Sequence, residues 1–258
     1  MTLFAEVRHL SSAKTPLVLL HGFGGIGAVW APVSRRLDPD LPLVVYDLPG
    51  HGRSLDADGV GHAGVMAKVI LADLDRRGIS SFHLCGHSMG GAISCLLALK
   101  VPDRVRSLTL LSPGGFGPQI DHEALRRYGS AVNEDEVALG LAAMCAPGAR
   151  PDPGELALLA AARRRPGATD RLIEILNSFL VQAEGQFGQG TLPLTSFEGL
   201  RIPTRLLWGQ DDPILPVSQA RNVWSGADVT LIAGAGHMLL DEAPDVVAAA
   251  LAAALAKP

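Results

Sequence analysis

The chain is poor in cysteine, in aromatic residues and in charge, and it has no long apolar run. Its three cysteines, Cys85, Cys95 and Cys145, form no disulfide framework and point to a reducing compartment; the expected location is the cytoplasm. Aromatic residues are only 5% of the chain and charged residues 19%, with a net charge of -4. Nothing in that balance favours a phosphate backbone or an anionic membrane surface, so no nucleic-acid partner is expected. The alanine-rich stretch from Val246 to Ala256 is 11 residues long, too short to span a bilayer. The opening Met-Thr-Leu-Phe-Ala-Glu shows neither the basic start nor the apolar run of a secretory signal. No membrane association is therefore expected. Eight histidines include no H-E-x-x-H pair, and His9, His62, His83 and His122 are scattered, so neither a metal nor a cofactor is expected.

What the chain does have is a globular balance, with 48% hydrophobic residues in 258. That suits one α/β domain with an insertion. Short apolar runs bounded by turn residues predict buried strands at Leu17–Leu20, Leu43–Tyr46, Ser81–Cys85 and Val105–Leu111. Helix-length segments lie between them, at Ala28–Leu37, His62–Arg77 and Ser88–Lys100. Alternation of this kind implies a parallel, doubly wound sheet with right-handed crossovers. The rhythm breaks from about Gly117 to Thr195, where helical patterns (Asp121–Tyr128, Glu134–Cys145, Glu155–Arg164, Asp170–Gln182) alternate with Pro-Gly joints and no strand is evident. It resumes with a strand at Thr204–Trp208, a helix at Val217–Trp224, a strand at Val229–Ile232 and a last helix from Pro244 to Leu255. The expected organisation is a core of residues 1–116 and 196–258 with a helical cap, or lid, at 117–195.

Four loops carry the chemistry. Gly86-His87-Ser88-Met89-Gly90-Gly91 follows a strand and opens a helix, the context of a nucleophile elbow. A serine on so sharp a turn needs small residues two before and two after it. His21-Gly22-Phe23-Gly24-Gly25 follows the first strand; the backbone N–H groups of Phe23 and Met89 are the candidate oxyanion hole. A phosphate-binding reading of this loop fits less well: Gly22-Phe23-Gly24-Gly25-Ile26-Gly27 has the G-x-G-x-x-G spacing, but the acidic residue about 20 positions on, Asp47, opens a loop fixed by its own turn residues and fits a structural role better than a ribose-binding one. Asp211 and Asp212 lie just past the strand ending at Trp208, and His237 lies just past the strand ending at Ile232. Serine, acid, histidine is the chain order of one class of serine hydrolase, and sites in open α/β sheets gather at the carboxyl ends of strands.

The sequence resembles the α/β-hydrolase superfamily along nearly its whole length. The likeness is carried by His21-Gly22-Phe23-Gly24, by Asp47-Leu48-Pro49-Gly50-His51-Gly52-Arg53-Ser54, by the elbow, by Trp208 through Pro216, and by Gly236-His237 with Glu242 and Pro244. Leu111-Ser112-Pro113-Gly114-Gly115-Phe116-Gly117-Pro118 is similar to the hydrolase-fold domain of acyltransferase components of acetoin dehydrogenase complexes; small bacterial carboxylesterases are also similar. The family's spacing from the tryptophan implies Asp212 as the acid. The resemblance thus implies Ser88 as nucleophile, His237 as base and Asp212 as its orienting acid. It implies an acyl-enzyme route that needs no cofactor.

The expected activity is hydrolysis of a small carboxylic ester, thioester or lactone with an apolar acyl group. Candidate pocket residues are Gly22, Gly24, His87, Phe179, Phe187 and Met238. Two other readings compete. The same triad serves carbon–carbon bond hydrolases, although subgroups of that kind often carry an aromatic residue after the histidine, where this chain has Met238. A non-catalytic ligand receptor would not need an intact triad. Arg163, Arg164 and Arg165 read as a solvated helix end, Trp208 as core, and the protein as a monomer or homodimer.

Overall fold

A computed structural model describes residues 3–149, 152–183 and 185–256. Among the described residues, seven strands form one sheet in the order β1-β3-β2-β4-β5-β8-β9, and two more form a separate hairpin. In the main sheet β1 is Ala5–Arg8, β2 Leu17–Leu20, β3 Leu43–Tyr46, β4 Phe82–His87, β5 Val105–Leu111, β8 Thr204–Gly209 and β9 Asp228–Ile232. All neighbours run parallel except β1, which pairs antiparallel with β3 through Ala5–Tyr46 and Arg8–Leu43. β1 escaped the sequence reading because it is an edge strand of four residues, three of them exposed.

The central strands are apolar because they are covered on both faces: every residue of β2, β3 and β4 is buried. Of the helix expected at 28–37 only a short 3-10 turn and α1 (Ala31–Ser34) form. α2 (Ala63–Arg76) and α3 (Met89–Lys100) follow the expected segments and pack on each other. The segment expected as a helix at 217–224 is a 3-10 helix over Val217–Asn222.

Between β5 and β8 lie α4 (His122–Ser130), α5 (Glu134–Ala142), α6 (Pro153–Arg163) and α7 (Ala168–Phe179). Asp121, Asn133 and Asp152 cap the first three, each accepting the backbone N–H three residues on. The insertion, expected to be helical with no evident strand, also holds a hairpin. α7 stops at Phe179, and the chain turns into β6 (Leu180–Ala183) and β7 (Gln186–Gln189), an antiparallel hairpin. Its turn contains Gly185 at φ 78°, a left-handed backbone that favours glycine. After β9 come the short α8 (Leu239–Glu242) and α9 (Pro244–Leu255). Cys85, Cys95 and Cys145 are all buried and unpaired, and burial pushes each thiol upward, as inert core residues should behave.

Candidate active site

β4 delivers Ser88 at its carboxyl end. The residue adopts φ 52°, ψ -116°, a sparsely populated conformation for a residue with a Cβ, costing about 1–3 kcal/mol. The surroundings hold it there. Its N–H donates to the Leu111 carbonyl at 2.9 Å, and its own carbonyl accepts from Ala92 at 3.1 Å and Gly114 at 3.0 Å. The flanking glycines are needed for space: a Cβ at Gly86 would strike the Gly90 carbonyl, and one at Gly90 would strike the Leu20 carbonyl.

Two other strand ends reach the same point. The His237 Nε2 lies 2.9 Å from the Ser88 Oγ, and its Nδ1 lies 2.8 Å from the Asp212 Oδ2. Both side chains of the His–Asp pair are buried. The other Asp212 oxygen accepts the N–H groups of Ile214 at 2.9 Å and Leu215 at 2.8 Å. These bonds fix the carboxylate and leave Oδ2 aimed at the imidazole. A carboxylate only accepts, so the Nδ1 carries the proton and the Nε2 is free to accept from the serine hydroxyl. Trp208 is fully buried core, as expected, and donates its indole N–H to the Leu215 carbonyl at 3.1 Å, which supports the acid's loop. Asp211 is exposed and reaches no part of this chain of bonds by its side chain.

The histidine loop is held from three sides. Glu242, on α8, accepts backbone N–H groups from Gly236 at 3.0 Å, Met238 at 3.0 Å and Ala146 at 2.6 Å. The His237 N–H donates to the Met144 carbonyl at 2.9 Å, and the His237 carbonyl faces the His87 Nε2 at 2.8 Å. Burial, then the nearby His237, lowers His87 to about 3, so its ring is neutral and donates from Nε2. His21 and His51 play a similar part in the glycine-rich loops. The Nε2 of His21 accepts the Leu48 N–H at 2.9 Å, and that of His51 accepts the Gly24 N–H at 3.1 Å. Burial lowers both below the usual imidazole range, and only neutral rings can accept these bonds.

Two cavities meet at Ser88. One, of about 540 Å³, is walled by Phe23, Met89, Ile120, Phe179, Val181 and Leu192 among others. The second, of about 20 Å³, is bordered by His237, His87, Gly22, Met144, Glu155 and Met238 among others. Residues from α4, α6, α7 and the segment after β7 line these spaces, so the insertion lies over the serine and not on the far face of the sheet. Met89 is the first residue of α3, where backbone N–H groups lack intrahelical partners and the helix dipole is positive.

Of the sequence-derived candidates, the structure gathers Ser88, Asp212 and His237, and around them Phe23, Met89, Gly22, His87, Phe179 and Met238. Two lie elsewhere. Phe187 is half exposed with its ring against His122, because its neighbour Gly188 takes the inward side of β7 against the Pro118 carbonyl. Gly24 borders neither cavity; its carbonyl accepts Arg163 at 3.0 Å and the Tyr128 hydroxyl at 3.3 Å. Arg163 is accordingly no solvated helix end. It is buried over the Tyr128 ring and tethers α6 to the first glycine loop. Glu155 and Glu242 were missed as site residues. Glu155 stands three residues after Asp152, the spacing of a helix cap, and that spacing masks its inward position. Among the described residues, no group of three or more histidine, cysteine, aspartate or glutamate side chains is placed to hold a metal ion, and no helix is long and apolar enough to cross a membrane.

A doubly wound sheet with a strained serine, a histidine and an aspartate at three strand ends defines a class, the α/β hydrolases. The profile of the family described as alpha/beta hydrolase fold matches residues 15–244, and the chain belongs to that family. It is 34% identical over 233 residues, 90% of its length, to the dihydrolipoyllysine-residue acetyltransferase component of the acetoin cleaving system of Pseudomonas putida. The chain spans about three fifths of that protein's length, 61%. It is 30% identical over 249 residues, 91% of both chains, to the pimeloyl-[acyl-carrier protein] methyl ester esterase of Pectobacterium carotovorum. Among solved structures, a 2-hydroxy-6-oxo-6-phenylhexa-2,4-dienoate hydrolase from a Rhodococcus species superposes with a TM-score of 0.79 at 18% identity, covering 99% of each chain. At that identity the likeness concerns the fold.

Proposed function

We propose that the protein is a serine hydrolase of carboxylic esters whose acyl group is apolar. The observation that carries this reading is the unbroken chain Asp212–His237–Ser88 opening onto an apolar cavity of about 540 Å³. His237 takes the hydroxyl proton as Ser88 attacks the ester carbonyl. Asp212 keeps the tautomer that makes this possible and stabilises the imidazolium. Phe23 and Met89 supply the backbone N–H groups for the oxyanion, an effect of about 3 kcal/mol per donor. His237 then protonates the departing alkoxide, and water releases the acid by the same route in reverse.

Residues from about 117 to 195 act as a cap that closes the acyl cavity, excludes water and sets chain-length preference. The test is a panel of methyl esters graded from acetate to laurate, followed by titration of released acid and run beside a β-diketone. We expect turnover to peak at a medium acyl length and the diketone to remain intact. Cleavage of the diketone in preference to every ester would replace this reading with carbon–carbon bond hydrolysis.

A further inference from the structure

The two cavities at Ser88 are unequal, and only the small one borders His237. The leaving alkoxide must receive its proton from the His237 Nε2, so the alcohol part of an ester lies on that side of the serine. The acyl part then occupies the large cavity, beside Met89 and Phe23. Space on the histidine side is about 20 Å³, enough for roughly one water-sized group.

Its walls are fixed. The insertion supplies Leu125, Tyr128, Met144 and Glu155, and three of these are tied down. The Tyr128 hydroxyl donates to the Gly24 carbonyl, the Met144 carbonyl accepts the His237 N–H, and Glu155, in the first turn of α6 beside Asp241, donates its N–H to the Asp152 carboxylate at 3.1 Å. One wall is also polar. Glu155 is buried, and no N–H reaches either of its oxygens. Burial and the neighbouring Asp241 push its carboxyl up to about 9, so it holds a proton at neutral pH.

We infer that the enzyme selects esters of a very small alcohol, methanol before ethanol, attached to a medium-length apolar acyl chain. The small cavity beside His237 is the alcohol and water site, and Met144 and Glu155 are its size-determining walls. In acylation the Ser88 oxygen bonds to the carbonyl carbon, and methoxide leaves with the proton held on His237. Water then enters the vacated space, gives a proton to His237 and attacks the same carbon. Ser88 recovers its proton as the carboxylic acid departs. The inference rests on the ester-hydrolase reading and adds the identity of the alcohol.

The test compares methyl, ethyl, n-butyl and benzyl octanoate by titration of released acid, with fluorophosphonate labelling of Ser88 as a separate readout. The expected result is a fall in kcat/KM of about tenfold or more from methyl to n-butyl, with benzyl slower still. Met144→Ala, which keeps the backbone carbonyl but shortens the wall, should raise the butyl-to-methyl ratio about tenfold. Equal or rising kcat/KM with alcohol size, while methyl octanoate is turned over, would overturn the small-alcohol inference and leave the ester-hydrolase reading intact. Labelled Ser88 without hydrolysis of any of the four esters would also overturn the inference. Absence of both labelling and turnover would bring down the hydrolase reading itself.

Discussion

Asp211 and Asp212 are neighbours of identical type, and only their surroundings separate them. Asp212 is buried, is held by two backbone N–H groups and faces the His237 Nδ1; Asp211 points to water. In Asp212→Asn an amide N–H would face Nδ1 and favour the opposite tautomer, leaving Nε2 protonated and unable to accept from Ser88. In serine proteases the same change costs about 10⁴ in turnover. We expect a loss of that order for Asp212→Asn and less than about threefold for Asp211→Asn, measured as kcat on the same ester. The reverse ranking would mean that the acid is misassigned. The preference for Asp212 over Asp211 was legible only through family spacing; two adjacent carboxylates after a strand leave the choice open. Glu242 was not legible as a holder of the histidine loop, because its three partners are backbone groups brought together by tertiary folding.

At the scale of elements, the strands of the core were readable because burial on both faces forces an unbroken apolar run. The elbow was readable because its sterics demand glycine. The hairpin β6–β7 was not. The amphipathic pattern of α7 continues through Gln182, and Gln186-Phe187-Gly188-Gln189 carries no alternation that marks a strand. Nor was the contact between α6 and α8, where Glu155 meets Asp241. That contact has a testable sign. Between its ordinary value of 4.5 and about 9, Glu155 keeps in the folded chain a proton that the unfolded chain has lost, so this group subtracts stability as pH rises through that window. Glu155→Gln cannot lose the proton. The melting temperature of this variant relative to wild type should therefore increase steadily from pH 5 to pH 8.5. A difference that stays constant across that range would show that Glu155 is ionised in the fold.

For the whole molecule, four buried imidazoles act in the opposite direction. His21, His51, His83 and His87 are all lowered from an ordinary value of 6.5, His87 to about 3. Below about 6.5 the unfolded chain takes up protons that the folded chain refuses, so stability is lost as pH falls. Four such groups outnumber the two raised carboxyls, Glu155 and Asp241. Thermal unfolding from pH 8 downward should show the melting temperature dropping once pH passes below about 6.5; an unchanged value down to pH 4.5 would contradict the neutral assignments. His21, His51 and His87 hold the two glycine loops and the loop of His237, so acid should release the site's framework before the sheet itself.

We propose that Ser88 is an activated nucleophile, and a fluorophosphonate probe reads activation directly, because an ordinary serine hydroxyl does not react with it. We expect one label per chain, on Ser88, at neutral pH, abolished in Ser88→Ala and strongly slowed in His237→Ala. A wild-type chain that takes no label, or a label that survives Ser88→Ala, would contradict it.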